Sequence, residues 1–250
     1  MANGEPTLPS NIAVTAEKPA EPDHYSLVQD IIRTVDHKKL GIMYIAAGLL
    51  FFVVAGLMAT AMRIQLAIPN NHFVTPEVFN RFFTMHGTAM VFLVGMPIIT
   101  GFANYFVPLM IGARDMAFPR LNAFGFWIFL FGGLLLYFSY IGAQGLYGAG
   151  SAPDVGWFAY APLTGRAFSR GHSTDYWTLS IFLMGLGSVS AAINILVTTF
   201  CMRCKGMTLG RMPLFVWVMA VVAFMMIIAL PPLSAAQIML TIDRYLGGKF

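Results

Sequence analysis

The sequence carries little charge. Asp, Glu, Lys and Arg make up 10% of its 250 residues, whereas 58% are hydrophobic and the mean hydropathy is +0.71. Because water must wet the surface of a soluble domain, such domains carry about a quarter charged residues. The composition therefore excludes an ordinary soluble domain and indicates a membrane protein, whose apolar exterior is solvated by lipid. In that setting the net charge of +4 reflects Lys and Arg in cytoplasmic loops rather than nucleic-acid binding.

Cysteine is also scarce. The two cysteines, Cys201 and Cys204, form a single CxxC motif. A CxxC motif can be redox-active or can supply half of a zinc site, but no second pair of ligands accompanies it. Since the motif lies at the edge of an apolar run, we expect two incidental reduced thiols on the cytoplasmic side.

Five apolar runs reach the length of about 20 residues that a bilayer requires. No basic region leading into a short apolar stretch marks a signal peptide, and the Ala-, Pro- and Glu-rich start is typical of disorder. The sequence predicts a disordered cytoplasmic tail over residues 1–35, followed by an all-α polytopic membrane bundle over residues 36–250. The five spans are expected at about 40–62, 82–111, 121–146, 177–200 and 213–240.

The charges flanking these spans favour a cytoplasmic N-terminus. In that orientation the inner flanks carry eight Lys and Arg residues and the outer flanks carry six. The inner loops are also the shorter ones, where the positive-inside rule counts most. The long segment at 147–176, rich in Gly, Pro and aromatic residues, then covers the outer side.

His86 lies about one turn inside the second predicted span. An ionisable side chain at that depth is costly and is therefore a functional candidate. Imidazole suits haem iron or another transition metal, and the small residues Gly87 and Ala89 keep the adjacent helix surface low enough for a flat ring system. A histidine that is merely hydrogen-bonded to a neighbouring helix is an equally good interpretation of this position.

The stretch from His86 to Asn122, HGTAMVFLVGMPIITGFANYFVPLMIGARDMAFPRLN, closely resembles haem-copper terminal oxidase subunit I, between its second and third helices. The match includes the histidine itself, the run GxxNxxVPLxIGA and the run DxAFPRxN. It extends more loosely over about residues 36–250. The resemblance implies that His86 is an axial ligand of the iron of a low-spin haem, of the haem a type.

The same resemblance implies a proton-uptake pathway. The aspartate matching Asp115 is its cytoplasmic mouth, and the residues matching its lining are Asn104, Asn122, Ser188 and Asn194. Amides can hold a chain of water molecules through an apolar region. The family often has a second serine where this sequence has Gly187, so we expect a local difference in the water chain. Without the resemblance, Asp115 equally indicates a solvated ion pair with Arg114 or Arg120.

Three further residues match family positions near the low-spin haem: Arg63, Trp157 and Tyr160. A fixed cation such as Arg63 would shift a haem potential. On composition alone, Arg63 is equally a snorkelling interface residue and the aromatics equally belong to an interfacial belt. A glutamate that some members use for a cation site is Gln65 here, so we do not predict that site.

The resemblance implies about twelve helices, of which this sequence supplies five. In the family, a copper held by three histidines and a high-spin haem reduce oxygen, and their ligands lie on later helices. We therefore expect no catalytic residue in this stretch and interpret it as part of a longer subunit. The complete protein would pump protons and reduce dioxygen to water in aerobic respiration, together with oxidase subunits II and III, in the bacterial cytoplasmic membrane.

The electron donor is predicted to be cytochrome c. Quinol-oxidising members carry a polar cluster of four residues near the first two helices. The four matching positions in this sequence are Val54, Met58, Val78 and Arg81, and the first three are apolar. A quinol-oxidising member of the same superfamily remains the alternative. Two further alternatives are a membrane transporter without a redox cofactor and a purely structural subunit.

Overall fold

The structure is a computed structural model that describes residues 27–147, 152–248 and 250. It consists of two units, Met1–Arg33 and Thr34–Phe250. Within the first unit, one short helix is described, α1 (Leu27–Arg33), which lies in the segment predicted as a tail. Residues 1–26 of that predicted tail lie outside the described residues.

The second unit contains five helices that are long and apolar enough to cross a membrane. They are α2 (His37–Gln65), α3 (Pro76–Ala89) continued through a π-helical segment (Met90–Gly95) into α4 (Met96–Ile111), α5 (Pro119–Tyr147), α6 (Ser173–Cys201) and α7 (Leu214–Leu246). A short 3₁₀ turn (Leu209–Arg211) precedes α7. The predicted all-α membrane bundle is confirmed, although the second span begins at Pro76 rather than near residue 82.

Local signals in the sequence define where several of these helices begin and end. The carboxylate of Asp36 caps α2 by accepting a hydrogen bond from the main-chain N–H of Lys38, at 2.7 Å. Thr75 caps α3, and Pro76 occupies the first position, where no N–H is required. Gly112 ends α4 with φ of +72°, a left-handed conformation that favours glycine.

Glycines allow the helices to approach closely where they cross. A Cβ built on Gly41 of α2 would lie 2.9 Å from the carbonyl oxygen of Gly101 on α4. A Cβ on Gly187 of α6 would likewise lie 2.9 Å from the carbonyl oxygen of Gly125 on α5. Small residues serve this purpose in membrane bundles, where packing rather than water drives association. This crossing gives a physical reason for glycine at position 187, where the family often has serine.

The π-helical segment (Met90–Gly95) interrupts the second span at its middle. Pro97, at the start of α4, has no N–H to donate, and its ring would clash with the carbonyl group of Leu93 in a regular α-helix. A locally widened turn relieves this clash. The π-helical segment was not predicted from the sequence. A change in the number of residues per turn is seen only when apolar and polar residues alternate around the helix, and here nearly all residues are apolar.

Successive helices run in opposite directions, so the loops alternate between the two ends of the bundle. The start of α2, the 112–118 loop and the 202–213 loop lie at one end, which we call the Asp115 end. The 66–75 loop and the 152–172 loop lie at the other, which we call the Trp157 end. His86 and Asp115 therefore belong to opposite halves of the bundle.

Candidate functional site

His86 is half-buried on α3 and is oriented by the neighbouring helix. Its Nδ1 lies 2.9 Å from the carbonyl oxygen of Ala55 on α2. A carbonyl oxygen can only accept a hydrogen bond, so Nδ1 carries the proton and donates it. The lone pair is then on Nε2, for which no hydrogen bond is found among the described residues. The hydrogen bond to a neighbouring helix that the sequence suggested is present, and it leaves the other ring nitrogen available.

This arrangement fits an axial ligand of haem iron. A histidine that ligates a metal through one nitrogen usually donates its other N–H to a carbonyl or carboxylate group, which fixes the tautomer and the ring orientation. Within the described ranges, no group of three or more His, Cys, Asp or Glu side chains could hold a metal ion. With its Nδ1 engaged, His86 can supply the single ligand that haem takes from one helix.

Trp157 lies directly against the helix next to His86. A Cβ built on Gly87 would be 2.9 Å from Cδ1 of the indole ring, so only glycine permits this contact without displacement. The loop that carries Trp157 is attached to α3, because the main-chain N–H of Gly156 donates to Oγ1 of Thr84 at 2.9 Å. The position of Trp157 near the haem was predicted from the resemblance alone. The structure brings Trp157 beside His86, the candidate haem ligand.

Two threonines position the buried face of α3. Oγ1 of Thr88 accepts a hydrogen bond from Nε1 of the fully buried Trp177 on α6, at 3.0 Å. The hydroxyls of Thr84 and Thr88 in turn donate to main-chain carbonyl groups one turn earlier in the same helix. Because the hydroxyl groups of Thr84 and Thr88 each join α3 to a neighbouring segment, the helix segment that carries His86 is held in one rotational position.

The other residues predicted near the haem are not brought against His86. Arg63 is exposed near the end of α2, and Tyr160 is 60% exposed in the 152–172 loop. Gln65 uses both ends of its amide to close the 66–75 loop. Its Nε2 donates to the carbonyl oxygen of Asn71, and its Oε1 accepts from the N–H of Val74.

At the other end of the bundle, Asp115 is paired with His37. Nδ1 of His37 lies 3.1 Å from Oδ1 of Asp115, which also accepts the N–H of Met116 at 2.7 Å. His37 is 3% exposed, and its Nε2 is buried without a hydrogen-bond partner among the described residues. The carboxylate itself is about one-third exposed. Sequence reasoning missed His37, whose only local signal is its place directly after the cap residue Asp36.

The loop carrying Asp115 is fastened to the end of α6. Oδ1 of Asn194 accepts from the N–H of Phe118 at 2.9 Å, and Nδ2 donates back to the carbonyl oxygen of Phe118. Oγ1 of Thr198, one turn further on, accepts from the N–H of Ala117 at 2.9 Å. Asn194 was predicted to line the proton pathway, but its amide is engaged in holding this loop.

Asn104 and Asn122 present the opposite situation. They are 0% and 1% exposed, yet the side-chain oxygen and nitrogen of each lack a hydrogen-bond partner in the described part of the chain. A buried amide without partners is costly and calls for an explanation. Ordered water molecules would satisfy these groups.

Ser188 lies beside a small cavity deeper in the bundle. The cavity has a volume of about 10 Å³ and is also lined by Tyr44 of α2 and Thr100 of α4. This volume is roughly what a single water molecule requires. Thr100 is one turn from Asn104 on the same helix, so polar groups continue along one face of α4 from the Asp115 end toward the middle.

The chain is similar in sequence to known proteins. Residues 39–250 match the family described as cytochrome c and quinol oxidase polypeptide I. The cytochrome c oxidase subunit 1 of Bacillus sp. (strain PS3) is 45% identical over 225 residues, which cover 90% of this chain and 35% of that protein. The subunit of the same name from Corynebacterium glutamicum is 47% identical over 218 residues, covering 87% of this chain and 36% of that protein.

The chain thus spans about a third of the length of these curated relatives. The matched region nonetheless includes nearly all of the five helices long enough to span a membrane, together with His86 and Asp115, although His37 lies just before it. The chain belongs to the family of cytochrome c and quinol oxidase polypeptide I.

Proposed function

We propose that the chain forms the first five helices of subunit I of a proton-pumping oxidase that passes electrons from cytochrome c to dioxygen. The single observation that carries this proposal is the geometry of His86, whose Nδ1 is hydrogen-bonded to Ala55 while Nε2 has no hydrogen bond among the described residues. An ionisable side chain within an apolar span is costly, so a histidine oriented in this way supports a functional role for His86.

His86 would hold the iron of a low-spin haem, of the a type, which supplies one-electron transfer when bound. The chain's own contribution is to present Nε2 in one orientation and to let Trp157 pack on Gly87, directly beside the ligand. Trp157 shields this region from the outer surface. Arg63 and Tyr160, which the resemblance places near the same haem, would contribute only after the remaining helices bring the haem edge toward them.

Asp115 would collect protons at the cytoplasmic face, assisted by His37. A partly exposed carboxylate hydrogen-bonded to a buried imidazole gives two sites between which a proton can move. The unpaired amides of Asn122 and Asn104 would then hold water molecules leading toward Ser188. Asn194 acts on this route indirectly, since it positions the loop that carries Asp115.

The oxygen-reducing centre, a copper and a high-spin haem, would take its ligands from helices beyond those described here. Subunits II and III and cytochrome c are the expected partners. In the bacterial cytoplasmic membrane the Asp115 end would face the cytoplasm, so that proton uptake and electron delivery occur on opposite sides.

Difference spectra of the full-length holoenzyme test the proposal. We expect His86→Ala to abolish the low-spin haem band in the reduced-minus-oxidised spectrum. His72→Ala is the matched control, because His72 is exposed in the 66–75 loop, and it should leave the band intact. A low-spin band that persists in the His86→Ala variant would contradict the assignment of the ligand.

Oxygen consumption and haem spectra of the same full-length holoenzyme distinguish two alternative functions. The family description includes quinol oxidases, and a quinol-oxidising member would consume oxygen with a quinol but not with reduced cytochrome c. A transporter without a redox cofactor, for which the unpaired Asn104 and Asn122 are the supporting observation, would show no haem band in any variant.

A further inference from the structure

Both cysteines of the chain lie where α6 ends and the loop to α7 begins. Cys201 is the last residue of α6, and Cys204 follows three residues later. Both thiols are exposed and neither is in a disulfide within the described chain. Their spacing is that of dithiols that cycle between reduced and oxidised states.

Cys204 packs directly on the end of α4. Its main-chain N–H donates to the carbonyl oxygen of Ile111 at 2.9 Å. A Cβ built on Gly112, the left-handed cap of α4, would lie 3.0 Å from Cβ and 3.3 Å from Sγ of Cys204. The Cys204 side chain thus covers the residue at which the 112–118 loop leaves the helix.

The same loop is held from its other side by α6. Asn194 and Thr198 bind Phe118 and Ala117, as described above, and Cys201 is three residues beyond Thr198. The guanidinium group of Arg203 braces the short cysteine segment by donating to the carbonyl oxygens of Thr199 and Met207. Asp115 therefore lies in a loop whose supports on both sides come from α6 and the cysteine segment that follows it.

We propose that Cys201 and Cys204 form a reversible dithiol–disulfide pair whose oxidation displaces the loop that carries Asp115. A low-molecular-weight disulfide is the oxidant. One protein thiol loses its proton and attacks this disulfide, releasing one small thiol, and the second protein thiol then displaces the other. In total, two protein thiols and one small disulfide give one protein disulfide and two small thiols.

Closing the disulfide draws Cys204 toward the end of α6. Because Cys204 is hydrogen-bonded to Ile111 and packed on Gly112, this movement loosens the cap of α4 and the loop that follows. The effect on proton uptake rests on the proposed function of Asp115, whereas the loop movement does not. The dithiol pair thus provides a redox-controlled restraint at the mouth of the proton pathway.

The test compares the full-length holoenzyme with its Cys201→Ser and Cys204→Ser variants, before and after incubation with glutathione disulfide. Thiol counting by mass spectrometry should show the loss of two free thiols in the wild type only. Hydrogen exchange in the 112–118 segment should then become about fivefold faster, the low end of ordinary coupling between sites. The 66–75 segment at the Trp157 end serves as the internal control and should not change.

Proton uptake, followed with a pH-sensitive dye during a single turnover, should slow by about the same factor. Reduction of the low-spin haem should keep its rate, and a reducing thiol should restore proton uptake. Resistance of the thiols to oxidation, unchanged exchange at 112–118, or an equal response in the Ser variants would each overturn the proposal. Faster exchange with normal proton uptake would instead retain the disulfide site and refute the role of Asp115.

Discussion

The indole ring of Trp157 lies on Gly87, in a contact that leaves no room for a Cβ atom on the helix. Since Gly87 directly follows His86, the covering loop and the candidate haem ligand meet at one point of α3. The contact joins residues 70 positions apart in the sequence. It makes the surroundings of His86 sensitive to a single methyl group.

Gly87→Ala is expected to displace Trp157. Overpacking of this kind costs about 1–3 kcal/mol, so the variant should unfold at a lower temperature, and the low-spin haem band should shift. Gly56→Ala is the matched control, because a Cβ built there meets no described atom within 4 Å. A double variant, Gly87→Ala with Trp157→Ala, also lacks the indole ring. It should therefore regain the part of the thermal stability that Gly87→Ala loses through steric overlap. A Gly87→Ala protein with unchanged stability and spectrum would show that the contact is not tight.

Asp115→Asn is expected to slow proton uptake while leaving haem bound. The amide keeps the shape of the carboxylate but cannot carry a proton, and a positioned proton carrier contributes roughly 100-fold to a rate. Single-turnover proton uptake in the full-length enzyme measures the effect. Asp154→Asn, an exposed acid at the Trp157 end, should have no influence. Equal rates in the two variants would exclude Asp115 as the site of uptake.

Asn104→Leu removes a buried amide that has no partner in the described residues. In a dry site, replacing the amide by an apolar group of similar size would relieve a desolvation cost of about 1–3 kcal/mol. We expect the opposite pattern, slower proton uptake without a gain in stability, because the substitution would expel the water molecules that the proposed pathway requires at this site. Asn80→Leu, at an exposed position, provides the comparison. A stabilised variant with normal uptake would identify the site as dry.

Thr88→Val tests the hydrogen bond that joins α3 to α6. The substitution leaves the buried Nε1 of Trp177 without an acceptor, which should cost about 1–3 kcal/mol. Thr60→Val, in which the lost hydroxyl is exposed and bonds only within α2, should cost much less. Thermal unfolding in detergent would reveal the difference, and similar losses in both variants would argue against this bond as the support of α3.

The cap at Asp36 should depend on pH. Burial acts to raise the pKa of this carboxyl group, but hydrogen bonds from Lys38 and Lys39 and the positive charge nearby outweigh it, so the pKa lies below its ordinary value of 3.8. A lowered pKa means that the cap contributes its stability above 3.8 and loses it as the pH falls through the folded-state value. Asp36→Ala should therefore cost about 1 kcal/mol at neutral pH.

That cost should disappear at a pH below the folded-state pKa, where the wild type has lost its own carboxylate. Amide exchange at Lys38 and Lys39, compared between the wild type and the variant across the acidic range, would measure it. A cost that stayed constant with pH would mean that the ionised carboxylate is not the capping group.

Much of this architecture could be predicted from local features of the sequence. The five spans follow from apolar runs of bilayer length, and His86 stood out because an imidazole at that depth is costly. Asp115 and Asn104 were recognised through resemblance to a family rather than through spacing. Each of these signals lies within about 40 consecutive residues, which is the range over which a sequence pattern can be interpreted directly.

The remaining features depend on contacts between distant segments. His37 and Asp115 are 78 residues apart, and no local pattern indicates that the start of α2 meets the 112–118 loop. Asn194 was assigned to the lining of a water chain, yet its amide binds Phe118, 76 residues away. An amide shows the same chemistry in the sequence whether it faces water or a main-chain group, and only packing decides between the two.

The π-helical segment (Met90–Gly95) divides one membrane span into two rotational phases. A π turn accommodates an additional residue relative to an α-helix, and each residue of an α-helix turns the next side chain by about 100°. Deleting one residue from this segment would therefore leave a regular α-helix in which His86 and Asn104 both keep their orientations, at the cost of the clash between the ring of Pro97 and the preceding turn. The widened turn thus lets the length of this helix change by one residue between His86 and Asn104 without turning either side chain away from its contacts.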